Sequence, residues 1–245
     1  MKQYGLIGFP LSHSFSKKYF EKKFSTLGLK DHSFINFELR ELDELNDLVT
    51  NHPHLLGLSI TIPYKERVLS FLDETDPLVI EIGAANAIKI IRSKKQILLK
   101  GYNTDALGFE GSILPLLKSN HYKALILGSG GASKAIAYAL RKMGIEYKII
   151  SRRNGDLLYK QLDKKILLEH QLIVNTTPLG MFPGIDECPP IPYTNISKDH
   201  IAYDLTYNPE KSLFLKNSED QGAMIINGLS MLKNQADRTW DIWNK

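Results

Sequence analysis

The sequence predicts an α/β protein built from two domains, and three observations carry the prediction. Strand-like and helix-like runs alternate through the first part of the chain. The stretch Lys123-Ala-Leu-Ile-Leu-Gly-Ser-Gly-Gly-Ala-Ser133 reads as a buried strand, a glycine-rich turn and a helix start. After the helical run comes a second strand, Tyr147-Lys-Ile-Ile-Ser151, which ends in Arg152-Arg153. A chain of 245 residues holds one large or two small domains, and so much of it precedes the glycine-rich unit that another domain comes first.

The elements follow in order. Residues 4–8 are a short apolar run that breaks at a Gly/Pro turn. Phe20, Phe24 and Leu27 share helical spacing, and Gly28 sits where a C-terminal cap is expected. Ile35, Phe37 and Leu39 alternate as in a half-buried strand, and Leu42, Leu45 and Leu48 make one helical stripe. Leu58, Ile60 and Ile62 alternate again, which turns Ser59 and Thr61 to the opposite face. Two strand-like runs follow at 87–91 and 96–100. This alternation implies a mostly parallel sheet.

A helix from about 104 to 118 reads as the connector to the second domain. Past the glycine-rich unit, strands are expected at 172–175, 200–204 and 223–226. Residues 154–169 leave little room for a full helix–strand–helix passage. The last helix carries Leu229, Leu232, Ala236, Trp240 and Trp243 at three- and four-residue spacing, long enough to pack back on the first domain. The expected division is 1–105, with the returning helix 228–245, and 106–227.

Composition excludes several classes. The chain is 43% hydrophobic and 24% charged, as in soluble globular proteins. Its net charge of +4 is too small to argue for nucleic acid, and no basic stripe interleaved with aromatics occurs. A single cysteine, Cys188, excludes an intrachain disulfide framework and any CxxC metal site, and fits a reducing cytoplasm. No apolar run is long enough to span a bilayer, and the N-terminus lacks the features of a signal peptide.

A strand–glycine turn–helix–strand unit is the scaffold that binds a dinucleotide pyrophosphate. Its glycines let the backbone approach the phosphates, and the helix N-terminus offers amide donors and a positive dipole end. Here Ser133 replaces the third glycine of G-x-G-x-x-G. An acidic residue closing the second strand would hold a ribose 2′-hydroxyl, whereas arginine accepts a 2′-phosphate. The residues therefore point to NADP rather than NAD. The alternative is an ordinary βαβ turn with two solvated arginines.

Four polar clusters are expected at the C-terminal ends of predicted strands, where ligands bind in open α/β sheets. Gly8-Phe-Pro-Leu-Ser-His-Ser-Phe-Ser16 offers the hydroxyls of Ser12, Ser14 and Ser16 to a polyhydroxylated or carboxylated ligand, or else Ser14 or Ser16 caps the next helix. His13 reads as a packed or exposed side chain rather than a catalyst. In Ser59-Ile-Thr-Ile-Pro-Tyr-Lys65, the strand ends at Pro63, and Lys65 falls in the first turn of a helix, against its dipole. A cation there is either solvated or held by a specific partner. The third cluster is Gly83-Ala-Ala-Asn86. The fourth is Gly101-Tyr-Asn-Thr-Asp105, with Asp105 early in a helix, where a carboxylate is also a comfortable cap.

These clusters, in this order and ahead of a dinucleotide unit, resemble those of the shikimate dehydrogenases. The serine cluster is similar to that family's G-x-P-x-x-H-S-x-S, and residues 59–65 to its N-V-T-x-P-x-K, with Ser59 in place of Asn. Residues 83–87 match G-A-x-N-T in part, and 101–108 match G-x-N-T-D-x-x-G. Asn175-Thr-Thr-Pro-Leu-Gly-Met181 resembles N-A-T-P-x-G-M, and Tyr203-Asp-Leu-Thr-Tyr-Asn-Pro209 resembles Y-D-x-x-Y-x-P. Asn227-Gly-Leu-Ser-Met-Leu-Lys-Asn-Gln-Ala236 resembles N-G-x-x-M-L-x-x-Q-A. The resemblance covers nearly the whole chain.

It implies a substrate domain followed by a Rossmann-type domain, and reversible NADP-dependent reduction of 3-dehydroshikimate to shikimate in chorismate and aromatic amino acid biosynthesis. Carried over by position, Lys65 and Asp105 would be the catalytic pair. Ser14, Ser16, Thr61, Asn86, Tyr207 and Gln235 would contact the substrate. Gly128, Ser129, Gly130, Gly131 and Ala132 would hold the pyrophosphate, and Ser151, Arg152 and Arg153 the 2′-phosphate end. Thr176, Leu205 and Gly228 would complete the cofactor site. Ser151 and Arg153 depart from the family's N-R-T/S motif. A protonated Lys65 would stabilise the developing alkoxide and deliver the proton, with Asp105 fixing its direction. The partners implied are small molecules, without nucleic acid or membrane, for a monomer or homodimer. A relative acting on quinate or using NAD, and a non-catalytic NADP-binding relative, remain as alternatives.

Overall fold

In the computed structural model, which describes residues 1–11 and 14–245, these alternations become two sheets, one in each of two units. Ser12 and His13 lie outside the described residues. The units are Met1–Thr104 with Gln235–Lys245, and Asp105–Asn234.

The first unit contains β1 (Lys2–Gly8), α1 (Ser16–Thr26), β2 (His32–Glu38), α2 (Leu45–Asn51) and β3 (Leu55–Ile60). It continues with β4 (Glu74–Thr75), α3 (Pro77–Ile82), β5 (Ala87–Arg92) and β6 (Ile97–Tyr102). The sheet order is β2-β1-β3-β5-β6-β4. Strand β1 is parallel to β2 and β3, and β4 to β6. The two runs near 90 and 100 form a hairpin, so β5 is antiparallel to β3 and β6. Residues 93–96 are too few for the crossover that a parallel pair requires. Because β5 is reversed, its first residues reach the same sheet edge as the last residues of β1, β3 and β6. Ile7 pairs with Ile60, Ser59 with Ala87, and Ala87 with Tyr102.

Alternation along β1 feeds two apolar layers. Tyr4 and Leu6 meet Phe20, Phe24 and Phe34, together with Ala236 and Trp243 of the C-terminal helix α8 (Leu229–Asn244). Ile7 joins Leu45, Leu58, Ile60, Val68 and Ile88 on the other face. Helix α1 stops at its glycine: Gly28 takes φ 68°, and the Leu29 N–H closes on the Phe24 carbonyl at 2.9 Å. Gly57 leaves room for the Trp243 indole, whose Nε1–H donates to the Ile88 carbonyl at 2.9 Å. That bond satisfies the only polar atom of a large apolar side chain.

The second unit opens with α4 (Asp105–Ile113), which ends well before 118 and passes into a 3-10 turn at Leu114–Leu116. Pro115 supplies no N–H and disfavours helical backbone at Leu114, so the expected longer helix is cut. Strand β7 (Lys123–Leu127), α5 (Gly131–Lys142) and β8 (Glu146–Ser151) form the strand–turn–helix–strand unit. A two-residue β9 (Leu157–Leu158), a 3-10 turn at Tyr159–Gln161 and α6 (Lys164–Glu169) occupy the segment read as too short for a full passage. Then come β10 (Leu172–Asn175), β11 (Ile201–Asp204), α7 (Leu213–Glu219) and β12 (Met224–Ile226).

This sheet runs β12-β11-β10-β7-β8-β9, with every pairing parallel. The chain works outward from β7 in one direction and from β10 in the other, so the topology switches between those two strands. In an open parallel sheet a ligand binds beyond the carboxyl ends at that switch. Helix α8 is shared between the units. Residues 229–234 belong to the second, where the Asn234 amide donates to the Gly108 carbonyl at 3.3 Å, and the helix joins the first at Gln235. The sequence instead places the whole of 228–245 with the first domain.

Asp204 ends β11 fully buried. The Ser212 hydroxyl, the Thr206 N–H (2.9 Å) and the Asn175 amide (3.1 Å) all donate to its carboxylate. Burial outweighs these donors and pushes its pKa up to about 6.

Two outcomes are expected. In Gly57→Ala the new methyl would overlap the Trp243 indole. Denaturant unfolding should register a loss of about 1–3 kcal/mol, and an unchanged midpoint would show that the indole lies elsewhere. For Asp204, a raised folded pKa means that the native state holds its proton longer than the unfolded chain. Its contribution to stability is full below pH 4 and is lost as pH rises through about 6. The stability of the wild type relative to Asp204→Asn should therefore fall by on the order of 2–3 kcal/mol between pH 4 and 7. A flat difference would return the carboxyl to its ordinary range.

Candidate active site

One edge of the first sheet collects most of the polar residues singled out by sequence. Thr61 extends the β1–β3 ladder past the end of β3, its N–H donating to the Ile7 carbonyl at 2.9 Å. Gly8 permits the approach, because a Cβ there would overlap the Thr61 methyl. Tyr64 is buried and its hydroxyl donates to the Leu39 carbonyl at 2.7 Å. The Lys65 carbonyl then accepts the Ala85 N–H at 2.8 Å, which ties the lysine turn to the residue before Asn86. Lys65 is not in an α-helix. Its turn leads into a five-residue 3-10 helix, Arg67–Phe71, whose end dipole is slight, so the expected conflict between cation and helix dipole does not arise.

Asn86 is the hub of this edge and is 3% exposed. Its backbone joins two strands: Ile60 N–H donates to the Asn86 carbonyl at 2.7 Å, and Asn86 N–H to the Tyr102 carbonyl at 3.0 Å. Its side-chain oxygen accepts the Thr104 N–H at 2.7 Å, and its amide donates to Thr104 Oγ1 at 2.9 Å and to Gln235 Oε1 at 3.3 Å. Asn103 locks the same link, its amide donating to the Ala84 carbonyl at 2.9 Å. Ser14 and Ser16 open α1, and both are half-buried. Ser14 Oγ accepts the Ser16 N–H at 3.3 Å, while no side chain caps the helix at Phe15. On the C-terminal side, Asp237 accepts both the Tyr19 hydroxyl and the Lys23 ammonium at 2.6 Å, which fixes α1 against the last turns of α8.

Asp105 is the first residue of α4 and is 4% exposed, where a carboxylate suits the helix dipole. It opens the second unit, so the expected catalytic pair is divided between units, with Lys65 in the first. The expected substrate residues divide likewise. Ser14, Ser16, Thr61, Asn86 and Gln235 belong to the first unit and Tyr207 to the second.

The expected cofactor residues all lie in the second unit, and several gather at the switch between β7 and β10. Gly128 adopts φ 111°, a conformation that side chains resist, and a Cβ on it would press on Thr176 Oγ1. Thr176 donates its N–H (2.9 Å) and hydroxyl (2.8 Å) to the Leu127 carbonyl. The Gly128 N–H donates to the Ile150 carbonyl at 2.8 Å, which sets the glycine turn beside the end of β8. No side chain caps α5 at Gly130, and a Cβ at Gly130 would stand in open space. Ser133 turns its hydroxyl to the Gly130 carbonyl at 2.6 Å instead of to the helix N–H groups. Gly131 and Ala132 thus begin a twelve-residue helix with its amide end open, which fits a pyrophosphate.

Ser129, Arg152 and Arg153 are exposed. Ser151 is buried, and its hydroxyl accepts the Arg153 N–H at 3.3 Å, so it shapes the turn that carries the arginines. Gly228 donates its N–H to the Thr206 carbonyl at 3.1 Å and lies so close to the Leu205 carbonyl that a Cβ would overlap it.

Sequence reasoning passed over Thr104, Asn175, Asp204 and Thr239. The first three lie inside the motifs quoted above but drew no role, and their side chains bond to neighbouring groups. Thr239 offered a subtler signal, a hydroxyl on the apolar stripe of the last helix. Among the described residues no group of three or more His, Cys, Asp or Glu is placed to hold a metal ion, and no helix is long and apolar enough to cross a membrane.

Known proteins resemble this chain in sequence and fold. The shikimate dehydrogenase substrate binding domain matches residues 6–88. The NADP(+) shikimate dehydrogenase of Carboxydothermus hydrogenoformans is 38% identical over 98% of this chain and 90% of its own. That of Desulforamulus reducens is 34% identical over 98% of this chain and 88% of its own. A shikimate 5-dehydrogenase of Thermus thermophilus, crystallised with NADP(H) and shikimate, superposes with a TM-score of 0.84 at 27% identity, covering 99% of this chain and 93% of that one. With identity spread over almost its full length and both sheets reproduced, the chain belongs to the shikimate dehydrogenase family.

Proposed function

We infer that this chain catalyses the reversible NADPH-dependent reduction of 3-dehydroshikimate to shikimate, as an oxidoreductase acting on a CH–OH group. The observation that carries the reading is the edge of the first sheet, where Asn86 is bonded to Thr104 and Gln235, and Lys65 is tied to Ala85. Kinship with NADP(+) shikimate dehydrogenases supplies the reaction.

Each residue then has a physical task. Bound NADPH supplies a hydride to the ring carbonyl carbon. Lys65, as an ammonium, stabilises the charge growing on the carbonyl oxygen and gives it a proton, so ketone, hydride and proton balance to an alcohol. Asp105 orients the ammonium and offsets its charge. Ser14, Ser16, Thr61, Asn86, Tyr207 and Gln235 present hydroxyls and amides to a ligand rich in hydroxyl groups. Such a site discriminates strongly against analogues that lack a hydroxyl it must bond. Gly128, Ser129, Gly130, Gly131 and Ala132 hold the pyrophosphate, and Thr176, Leu205 and Gly228 shape the nicotinamide end. Arg152 and Arg153 face the 2′-phosphate from the turn that Ser151 holds. The single free cysteine supports a place in the reducing cytoplasm.

Purified protein mixed with shikimate and NADP should raise absorbance at the NADPH band. Equal or better turnover with quinate and NAD would move the assignment to that relative. Lys65→Ala is expected to bind shikimate nearly normally while kcat falls by about 10²–10⁴-fold. Near-native turnover would end the proton-transfer role. Arg152→Ala should raise KM for NADP well above any change for NAD, and an equal rise for both would mean that the arginine does not read the 2′-phosphate.

A further inference from the structure

We propose that Thr239, which meets no substrate in this reading, is a positioning residue that sets the amides of Asn86 and Gln235 through a directed chain of hydroxyls. This role rests on the function proposed above and extends the machinery of its substrate site by one residue.

The number of available hydrogens sets the direction of the chain. Thr239 is fully buried on α8, one turn after Gln235. Its Oγ1 lies 2.8 Å from the Gln235 carbonyl oxygen and 3.0 Å from Thr104 Oγ1. A carbonyl only accepts, so the single hydroxyl hydrogen of Thr239 goes to Gln235. The Thr104 hydroxyl must then be the donor in the contact between the two threonines. Thr104 Oγ1 also lies 3.2 Å from Asn86 Oδ1 and 3.4 Å from Gln235 Oε1, but one hydrogen cannot serve three acceptors, and Thr239 is the nearest.

The chain therefore runs in one direction, from the Asn86 amide to Thr104, from Thr104 to Thr239, and from Thr239 to the Gln235 backbone. By drawing the Thr104 hydrogen away, Thr239 leaves Gln235 Oε1 to accept from the Asn86 amide at 3.3 Å. That bond fixes which end of the Gln235 carboxamide faces Asn86, and so which end is offered outward. Without the Thr239 oxygen, the Thr104 hydrogen turns to Asn86 Oδ1 or Gln235 Oε1 as a second donor, and that added pull draws the carboxamide away from the geometry that the other bonds set. Apolar neighbours cannot supply a substitute acceptor, because Thr239 sits on the same helix face as buried Ala236 and Trp243.

Steady-state kinetics in shikimate and NADP test this on the intact enzyme. Thr239→Val keeps the shape and removes the hydroxyl, and Thr239→Ala removes both hydroxyl and methyl. Both should raise KM for shikimate by about five- to tenfold with kcat and KM for NADP within about twofold of wild type. Thr239→Ser should restore the wild-type KM. In a Gln235→Ala background, Thr239→Val should add clearly less than it does in the wild type, because part of its effect passes through that side chain. An unchanged KM in the valine and alanine variants, a serine variant no better than valine, or full additivity with Gln235→Ala would each overturn the proposal. Wild-type turnover is the separate control: its absence would refute the function itself, whereas the variants test only Thr239.

Discussion

The first unit depends on a single carboxamide. Asn86 stands at the start of a reversed strand, and its backbone bonds to β3 on one side and β6 on the other. Its side chain then grips Thr104, beyond the end of β6, and reaches Gln235 on the returning helix. Three segments far apart in sequence, at Ile60, at 102–104 and at Gln235, are thereby referred to one group. Net stabilisation from such buried polar bonds is modest, about 1 kcal/mol each. Leaving any of them unmade costs more, so the network chooses one geometry far more strongly than it stabilises the fold. Stability comes instead from the aromatic layer of Tyr4, Phe20, Phe24, Phe34 and Trp243 beneath it.

The second unit meets its demand differently. A parallel sheet covered on both faces is stabilised by strands that are apolar throughout, and residues 124–127 and 172–174 are fully buried. Polar groups are therefore confined to strand ends. Gly128 and Thr176 occupy the ends of the two strands at the topological switch, and Asn175 and Asp204 stitch the neighbouring ends together. Asp204 is a costly stitch, as its raised pKa records. Replacing it with an apolar residue would remove that cost but take the acceptor from the Thr206 N–H and the Ser212 hydroxyl and leave the Asn175 amide only its 3.4 Å contact with the Leu179 carbonyl.

Much of this was legible in the sequence because the relevant signals are local. Helical spacing with Gly28 beyond it defined α1, and the glycine-rich turn between apolar strands located β7 and α5. The failures are equally local in cause. Pro115 stops α4 early, and Pro63 followed by a core-inserted Tyr64 keeps Lys65 in a turn rather than a helix. Periodicity is blind to strand direction, so the reversed β5 was not anticipated, although the short 93–96 link implies it. Which residues bond across the site is a tertiary fact. Thr239 was hidden because a stripe is read by its apolar members, yet its hydroxyl on that stripe was the visible clue.

Within the Asn86 network the bonds differ in length, and the difference suggests a division of labour. The two links to Thr104, at 2.7 and 2.9 Å, occupy opposite ends of the carboxamide and fix its plane. The link to Gln235, at 3.3 Å, is the longest and weakest of the three. That third link is also the one that depends on Thr239, because Thr104 Oγ1 lies 3.4 Å from Gln235 Oε1 and gives its hydrogen to the nearer threonine at 3.0 Å. The network thus joins a rigid half, which sets the plane of Asn86, to a weaker half, which sets the carboxamide of Gln235.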